Sequence, residues 1–390
     1  MAAKKMLEQH IAVFGESGSG KTVLLSSFYG PTQEKGFGDR NRYDVVADSR
    51  EQSKAVYQNY VGMRDYRTLP ESTQFASTAY SFKIQMAQGP SGGQKQQTSH
   101  DTMRVVWHDY PGEWFAKDLS GEEAKRRVAG FRSLLRSDVA ILLVDAQQLI
   151  ENEGQEHAYL KSLFHTYRDG IAALQDDILD DGAPLIRFPR IWMIALSKAD
   201  LLPDLDVHAF RDLVIGKAGA DLAQLTEAIK SMVQSPEALA VGDDFVLLSS
   251  AKFTPDEIDL TERIGLDLIL PIASVLPFER HLRWADTMNL PAKVGKDLLS
   301  NVEVFSSLIS GLLGFLAVKA PGPVRPVAAL LSAILSKDKV ERFIRMGRDK
   351  LEEVERVAIA RRDYLAAVLA RFRLDLEAGE ADDVLLRSLR

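Results

Sequence analysis

One run of eight residues constrains this chain more than anything else in it. Gly15-Glu16-Ser17-Gly18-Ser19-Gly20-Lys21-Thr22 fits the pattern G-x-x-x-x-G-K-[ST]. An apolar run at 10–14 leads into it, and a helix-like run at 21–29 leads out of it. Strand, loop and helix therefore come in the order that a phosphate-binding loop requires. Phosphate oxygens need several donors at close range, and glycine lets backbone N–H groups approach them. All eight residues are candidate nucleotide contacts. Lys21 is expected to reach the β- and γ-phosphates, and the Thr22 hydroxyl to ligate Mg²⁺. The helix that follows would aim its N-terminus at the same anion.

Such a loop needs a sheet behind it. Residues 80–86, 103–107, 139–144, 191–196 and 245–248 are apolar runs of strand length, separated by helix-like stretches. A Gly- and Gln-rich piece at 89–97 reads as a hairpin loop. The order predicts an α/β fold of the P-loop NTPase type: a mostly parallel sheet with helices on both faces and one antiparallel pair. Residues 1–290 form the expected nucleotide domain. It carries insertions near 31–72, with a helix about 51–63, and near 147–189, with an amphipathic helix about 157–179. Beyond about 290 the strand signal ends, and 291–390 reads as an all-helical region.

Composition narrows the function classes. Hydrophobic residues make up 46% of the chain, enough for a real core. With 48 basic and 55 acidic side chains the net charge is −7, so nucleic-acid binding is not expected. The absence of cysteine excludes disulfides, thiolate metal sites and thiol nucleophiles. The first residues lack the apolar run of a secretory signal, and a cytoplasmic setting is expected.

Asp109-Tyr110-Pro111-Gly112 closes the run 103–107. A carboxylate at that strand end can hold Mg²⁺, and the Gly112 N–H can meet the γ-phosphate. A second D-x-x-G, at 118–121, lacks a preceding strand. A γ-phosphate sensor belongs between the phosphate loop and Asp109, where Thr73 is the choice and Thr68 and Thr78 compete. Thr73 would complete the Mg²⁺ shell beside Thr22 and Asp109. Glu113 stands where a water-orienting side chain is needed. As a carboxylate it can accept from water but cannot donate to phosphate, which predicts slow hydrolysis. Arg64 and Arg67 are nearby cationic candidates.

Base recognition is expected at two further strand ends. Ser197-Lys198-Ala199-Asp200 follows 191–196, and Ser249-Ser250-Ala251-Lys252 follows 245–248. The Asp200 carboxylate can accept from guanine N1–H and the 2-amino group together. Adenine would leave it unpaired. The Lys198 stem can lie on the base, and backbone near Ser250, Ala251 and Lys252 can meet guanine O6. Four motifs in this order, each at the carboxyl end of a strand, read as a guanine-nucleotide site.

These motifs resemble those of the translation-factor-related class of P-loop GTPases, to which the small Ras-like proteins belong. Residues 15–22, the string Asp109-Tyr110-Pro111-Gly112-Glu113-Trp114, and 197–200 more closely resemble the bacterial stress-inducible YcjX-like GTPases. The likeness covers about residues 8–280. It implies GTP/GDP and Mg²⁺ as ligands, and a bacterial cytoplasmic protein linked to stress and close to the membrane.

The helical region adds a second reading. From Val304 to Val318 the chain is uncharged, but at 15 residues it falls short of the roughly 20 that span a bilayer. Ser307/Gly311 and Ser310/Gly314 permit close helix contact. A buried hairpin is one reading, and a membrane-surface paddle the other. An amphipathic stripe, Leu351, Val354, Val357, Ala358, Leu365, Val368 and Leu369, follows. The tail after Leu374 is expected to fray. A slow regulatory GTP switch with a protein effector is thus the leading expectation. A dynamin-like membrane GTPase and a P-loop ATPase are the alternatives.

Overall fold

The structure, a computed structural model, describes residues 7–41, 43–70, 78–86, 102–109, 121–179, 182–253, 258–288 and 364–388, with a few isolated positions between 291 and 356. Among the described residues the main sheet has eight strands. In chain order they are β1 (Leu7–Phe14), β2 (Tyr43–Ala47), β3 (Thr78–Met86), β4 (Thr102–Asp109), β5 (Val139–Asp145), β6 (Ile191–Ser197), β7 (Ala240–Leu248) and β10 (Leu385–Leu386), while β8 (Lys252–Phe253) and β9 (Ile258–Asp259) pair with each other in a small sheet of their own. Their order across the sheet is β10-β7-β6-β5-β1-β4-β3-β2. The five central strands β4, β1, β5, β6 and β7 are parallel. Both sides end antiparallel: β3 and β2 on one, β10 on the other. The expected antiparallel pair, β3 with β4, is therefore one of three in this sheet.

β5 and β6 are apolar along nearly their whole length because both faces are covered. Every residue of β5 and β6 is buried. On one face lie α1 (Lys21–Tyr29), α2 (Arg50–Tyr66), α7 (Ile269–Thr287) and α8 (Tyr364–Ala381). On the other lie α3 (Gly121–Leu134), α4 (Ala146–Glu151), α5 (Glu156–Ala172) and α6 (Val207–Ser231). Alternate residues of β1 divide between the two cores: Ile11 and Val13 to the first, Ala12 and Phe14 to the second. Large rings fix the helices nearest the phosphate loop. Phe28 of α1 stacks on Trp107 of β4 at 5.8 Å between centroids, and Phe14 stacks on Trp192 of β6 at 5.3 Å.

Two parts depart from expectation. Residues 43–47 are a strand inside the region read as polar insertion. The segment after Leu374 does not fray: α8 runs on to Ala381, and β10 pairs with β7 through Leu385–Val246 and Leu386–Phe245. The reason is burial rather than propensity. Leu385 is buried, Gly379 packs against Leu268, and Asp383 takes a left-handed turn with φ 55° that swings the chain back to the sheet. Ion pairs clamp the same junction. Arg280 of α7 donates to Asp244 at 2.8 Å, and the Ser388 N–H donates to the same carboxylate oxygen at 2.8 Å. Arg373 and Arg387 both reach Glu279. Of the amphipathic stripe, Leu351, Val368 and Leu369 are buried in the core; the side chains of Val354, Val357, Ala358 and Leu365 lie outside the described residues, as does the stretch from Val304 to Val318. Among the described residues no helix is long and apolar enough to cross a membrane.

Arg280 and Asp244 are 2% and 0% exposed, so removing one partner strands the other in the core. Asp244→Ala should therefore lower unfolding free energy by about 3 kcal/mol, measured by denaturant titration. Leu386→Ala, on the partly exposed face of β10, should cost less than half as much.

Candidate functional site

The carboxyl ends of β1, β4, β5, β6 and β7 all point to one edge of the sheet, and the residues with chemistry gather there. The phosphate loop leaves β1 after Phe14. Gly18 and Gly20 have φ of 84° and 90°, a region side-chain-bearing residues avoid, and open space surrounds the position a Cβ would take at each. Gly20 is also the N-cap of α1, and the Leu24 N–H donates back to its carbonyl at 2.8 Å. The loop is thus a bare backbone cradle at a helix N-terminus, the arrangement suited to an anion.

Lys21 turns back into this cradle. Its Nζ donates to the Gly15 carbonyl at 2.7 Å and the Glu16 carbonyl at 2.9 Å. Burial lowers the Lys21 pKa to about 8, against the opposing pull of Asp109 and Glu16. An anion beside that ammonium would raise its pKa back toward the usual lysine range. Burial raises Glu16 above the usual carboxylate range, helped by the charge on Asp145 and opposed by Lys21. Thr22 donates from Oγ1 to Asp109 Oδ2 at 3.3 Å, joining α1 to the end of β4. Among the described residues no group of three or more His, Asp or Glu side chains forms a metal cage. The Thr22 hydroxyl and the Asp109 carboxylate stand side by side, an oxygen pair that could hold a magnesium ion sharing its remaining positions with water and phosphate.

At the other end, Asp200 is held by its neighbours. The Ser249 hydroxyl lies 2.5 Å from Asp200 Oδ1 and 2.7 Å from the Ala251 carbonyl oxygen. The Phe253 N–H donates to Asp200 Oδ2 at 3.1 Å. A carboxylate has about four acceptor positions, so a donor pair from a base can still be met. Lys198 has a left-handed backbone, φ 55°, and its Nζ reaches Asp145 Oδ2 at 2.7 Å. The other Asp145 oxygen caps α4 by accepting from the Gln147 N–H at 2.9 Å.

One cavity of about 250 Å³ joins the two ends. It is lined on the phosphate side by Gly18, Ser19 and Gly20, and on the far side by Ser197, Lys198, Ser249, Ser250 and Phe253, with Leu69 and Gln147 also on its wall. Ala251 is buried beneath it, and Lys252 turns outward to Glu262 at 3.0 Å. Ser17 is exposed at the loop tip. Thr73, Gly112 and Glu113 lie outside the described residues. Thr68 donates its N–H to the Gly62 carbonyl at 3.0 Å, and Arg64 is engaged by Asp65 and Glu34. Asp145 and Leu69 were not among the expected site residues. Asp145 could have been found by its place at the end of β5, level with Ser197; nothing in the sequence singles out Leu69.

No family model matches the chain, and no curated protein matches it. Solved structures similar to it include a nucleolar GTP-binding protein from Plasmodium falciparum, at 11% identity and TM-score 0.30, over 81% of this chain and 99% of that one. Roco2 of Methanosarcina barkeri bound to GDP is similar at 10% identity and TM-score 0.25, over 87% and 69%. Era in complex with MgGDPNP and 16S ribosomal RNA is similar at 12% and 0.25, over 90% of each chain. At such scores the superpositions are too loose to assign anything. The strand order and the loop decide instead: this is an α/β P-loop NTPase fold.

Asp145 should matter for the site's integrity. Asp145→Ala removes both the α4 cap and the Lys198 ion pair, and should cost about 2 kcal/mol in thermal or chemical unfolding. Asp145→Asn keeps a capping oxygen and should cost about half of that.

Proposed function

We propose that the chain binds GTP and GDP with Mg²⁺, hydrolyses GTP slowly, and works as a nucleotide-dependent switch for a protein effector. The observation that supports this best is the single cavity running from the phosphate cradle to Lys198, Ser249 and the loop that holds Asp200. Asp200, fixed by Ser249 and Phe253, would accept from guanine N1–H and the 2-amino group. The Lys198 stem, pinned at its tip by Asp145, would lie along the base.

In this reading Lys21 and the cradle N–H groups bind the phosphates, and Thr22 and Asp109 hold the ion. The ion neutralises charge on the phosphates and keeps them in one orientation. Thr73 would sense the γ-phosphate, Gly112 would contact it through its N–H, and Glu113 would accept a hydrogen bond from the attacking water. A carboxylate at Glu113 cannot also donate to the phosphoryl group, which is the basis for expecting slow turnover. A peripheral position at the inner face of a bacterial membrane, and a role in stress, belong to the same proposal and rest on the sequence resemblance alone.

Two substitutions test it. Lys21→Ala should weaken GDP binding by about a hundredfold, since its charge-assisted contact with the β-phosphate goes, while leaving the melting temperature of the nucleotide-free protein within a few degrees of wild type. Equal affinity in the two folded proteins, by calorimetric titration, would refute the phosphate site. Asp200→Asn should exchange guanine for xanthine preference, each by about a hundredfold, because an amide can donate to the 2-oxo group that xanthine carries. Equal binding of ATP and GTP to the wild type would remove the base-reading step.

A further inference from the structure

Helix α2 lies between the phosphate-loop helix and β3, in the stretch that reads as an insertion. Its position is tightly set. Ser49 caps it by accepting from the Gln52 N–H. Ser53 meets the Tyr29 hydroxyl at 2.8 Å, which ties the helix to α1. The Tyr60 ring lies on Gly30, leaving no room there for a Cβ, and its hydroxyl donates to Glu34 at 2.6 Å. On its inner face Tyr60 and Met63 are buried in a small separate core with Ala251 and Leu260, against which Val23 and Phe253 also pack. Ala251 and Phe253 belong to the segment that orients Asp200. The inserted helix is thus packed directly on the proposed base-reading loop.

The helix ends abruptly. Arg67 adopts a left-handed conformation, φ 56°, and the Thr68 N–H returns to the Gly62 carbonyl at 3.0 Å. This reversal carries the next residue to the cavity wall. Leu69 lines the same cavity as Lys198, Ser249, Ser250 and Phe253, yet it is 60% exposed. An apolar side chain held by an anchored turn at the mouth of a mostly apolar cavity is suited to an apolar surface entering that cavity. Phosphates offer none; a nucleoside does.

We propose that Leu69 closes the nucleoside end of the cavity, and that α2, by docking on Ala251, Phe253 and Leu260, sets where it stands. The proposal rests on the nucleotide reading above and adds a contact which that reading does not require. A bound nucleoside would cover Leu69 on one side, so the favourable transfer from water is gained only in the occupied state. It should show mainly as slower release.

The test uses the full chain loaded with fluorescent GDP, and then with a fluorescent non-hydrolysable GTP analogue. Leu69→Ser should speed dissociation of both nucleotides about tenfold, because both share the nucleoside. Leu69→Met should stay within about twofold of wild type. Because Leu69 is exposed, neither change should move the melting temperature of the nucleotide-free protein by more than about 2 °C. Unchanged GDP dissociation in Leu69→Ser, with wild-type binding intact and lost in Lys21→Ala, would overturn this proposal and leave the nucleotide reading standing. An effect confined to the triphosphate would also overturn it, by placing Leu69 against the phosphates. Absence of GDP binding in the wild type would remove both.

Discussion

The ammonium of Lys21, folded back onto the carbonyls of Gly15 and Glu16, is the contact on which the phosphate end of the site depends. It closes the loop on itself, so the backbone between those carbonyls and α1 is fixed before any ligand arrives. The cost is a buried positive charge, whose pKa falls to about 8 for want of water. Asp109 and Glu16 offset part of that cost. A buried cation with acceptors on one side and an open cradle on the other is the electrostatic counterpart of an anion.

The two ends of the cavity are built differently. At the phosphate end the chemistry is backbone geometry, and two glycines with positive φ supply it. At the far end it is a chain of side chains: Lys198 held by Asp145, Asp145 held by the start of α4, and Asp200 held by Ser249 and Phe253. The first end tolerates change in most side chains. The second transmits it, because each group is oriented by the next.

Much of this was legible in the sequence, for reasons that also explain what was not. β5 and β6 are buried on both faces and read as unbroken apolar runs, so their positions and the residues after them could be named. β2 was missed because it is an edge strand of five residues with only Val45 buried, too short and too wet to leave a pattern. β10 was missed because its two leucines sit in a charged tail, and only contact with β7 and α8 makes them a strand. Asp145 and Leu69 escaped for a different reason. Each acts through a partner far along the chain, 53 residues away for Asp145 and Lys198, and no local spacing encodes such a meeting. The motifs marked the strand ends; the side chains that align them came only from the packing.

The placement of β10 has a consequence in time. β7 delivers Ser249 and Ser250 to the cavity, yet its outer edge is covered by a strand that lies some 140 residues further along the chain. During synthesis the phosphate cradle can be assembled once β1, β4 and β5 exist, while β7 still shows a bare, apolar edge. Through that interval the growing chain has one half of its site in final form and an open strand beside the other half, ready to pair with whatever comes near. Leu385 and Leu386, with Arg280 and Asp244 beneath them, end that interval. Among the described residues β10 is the strand that covers this edge.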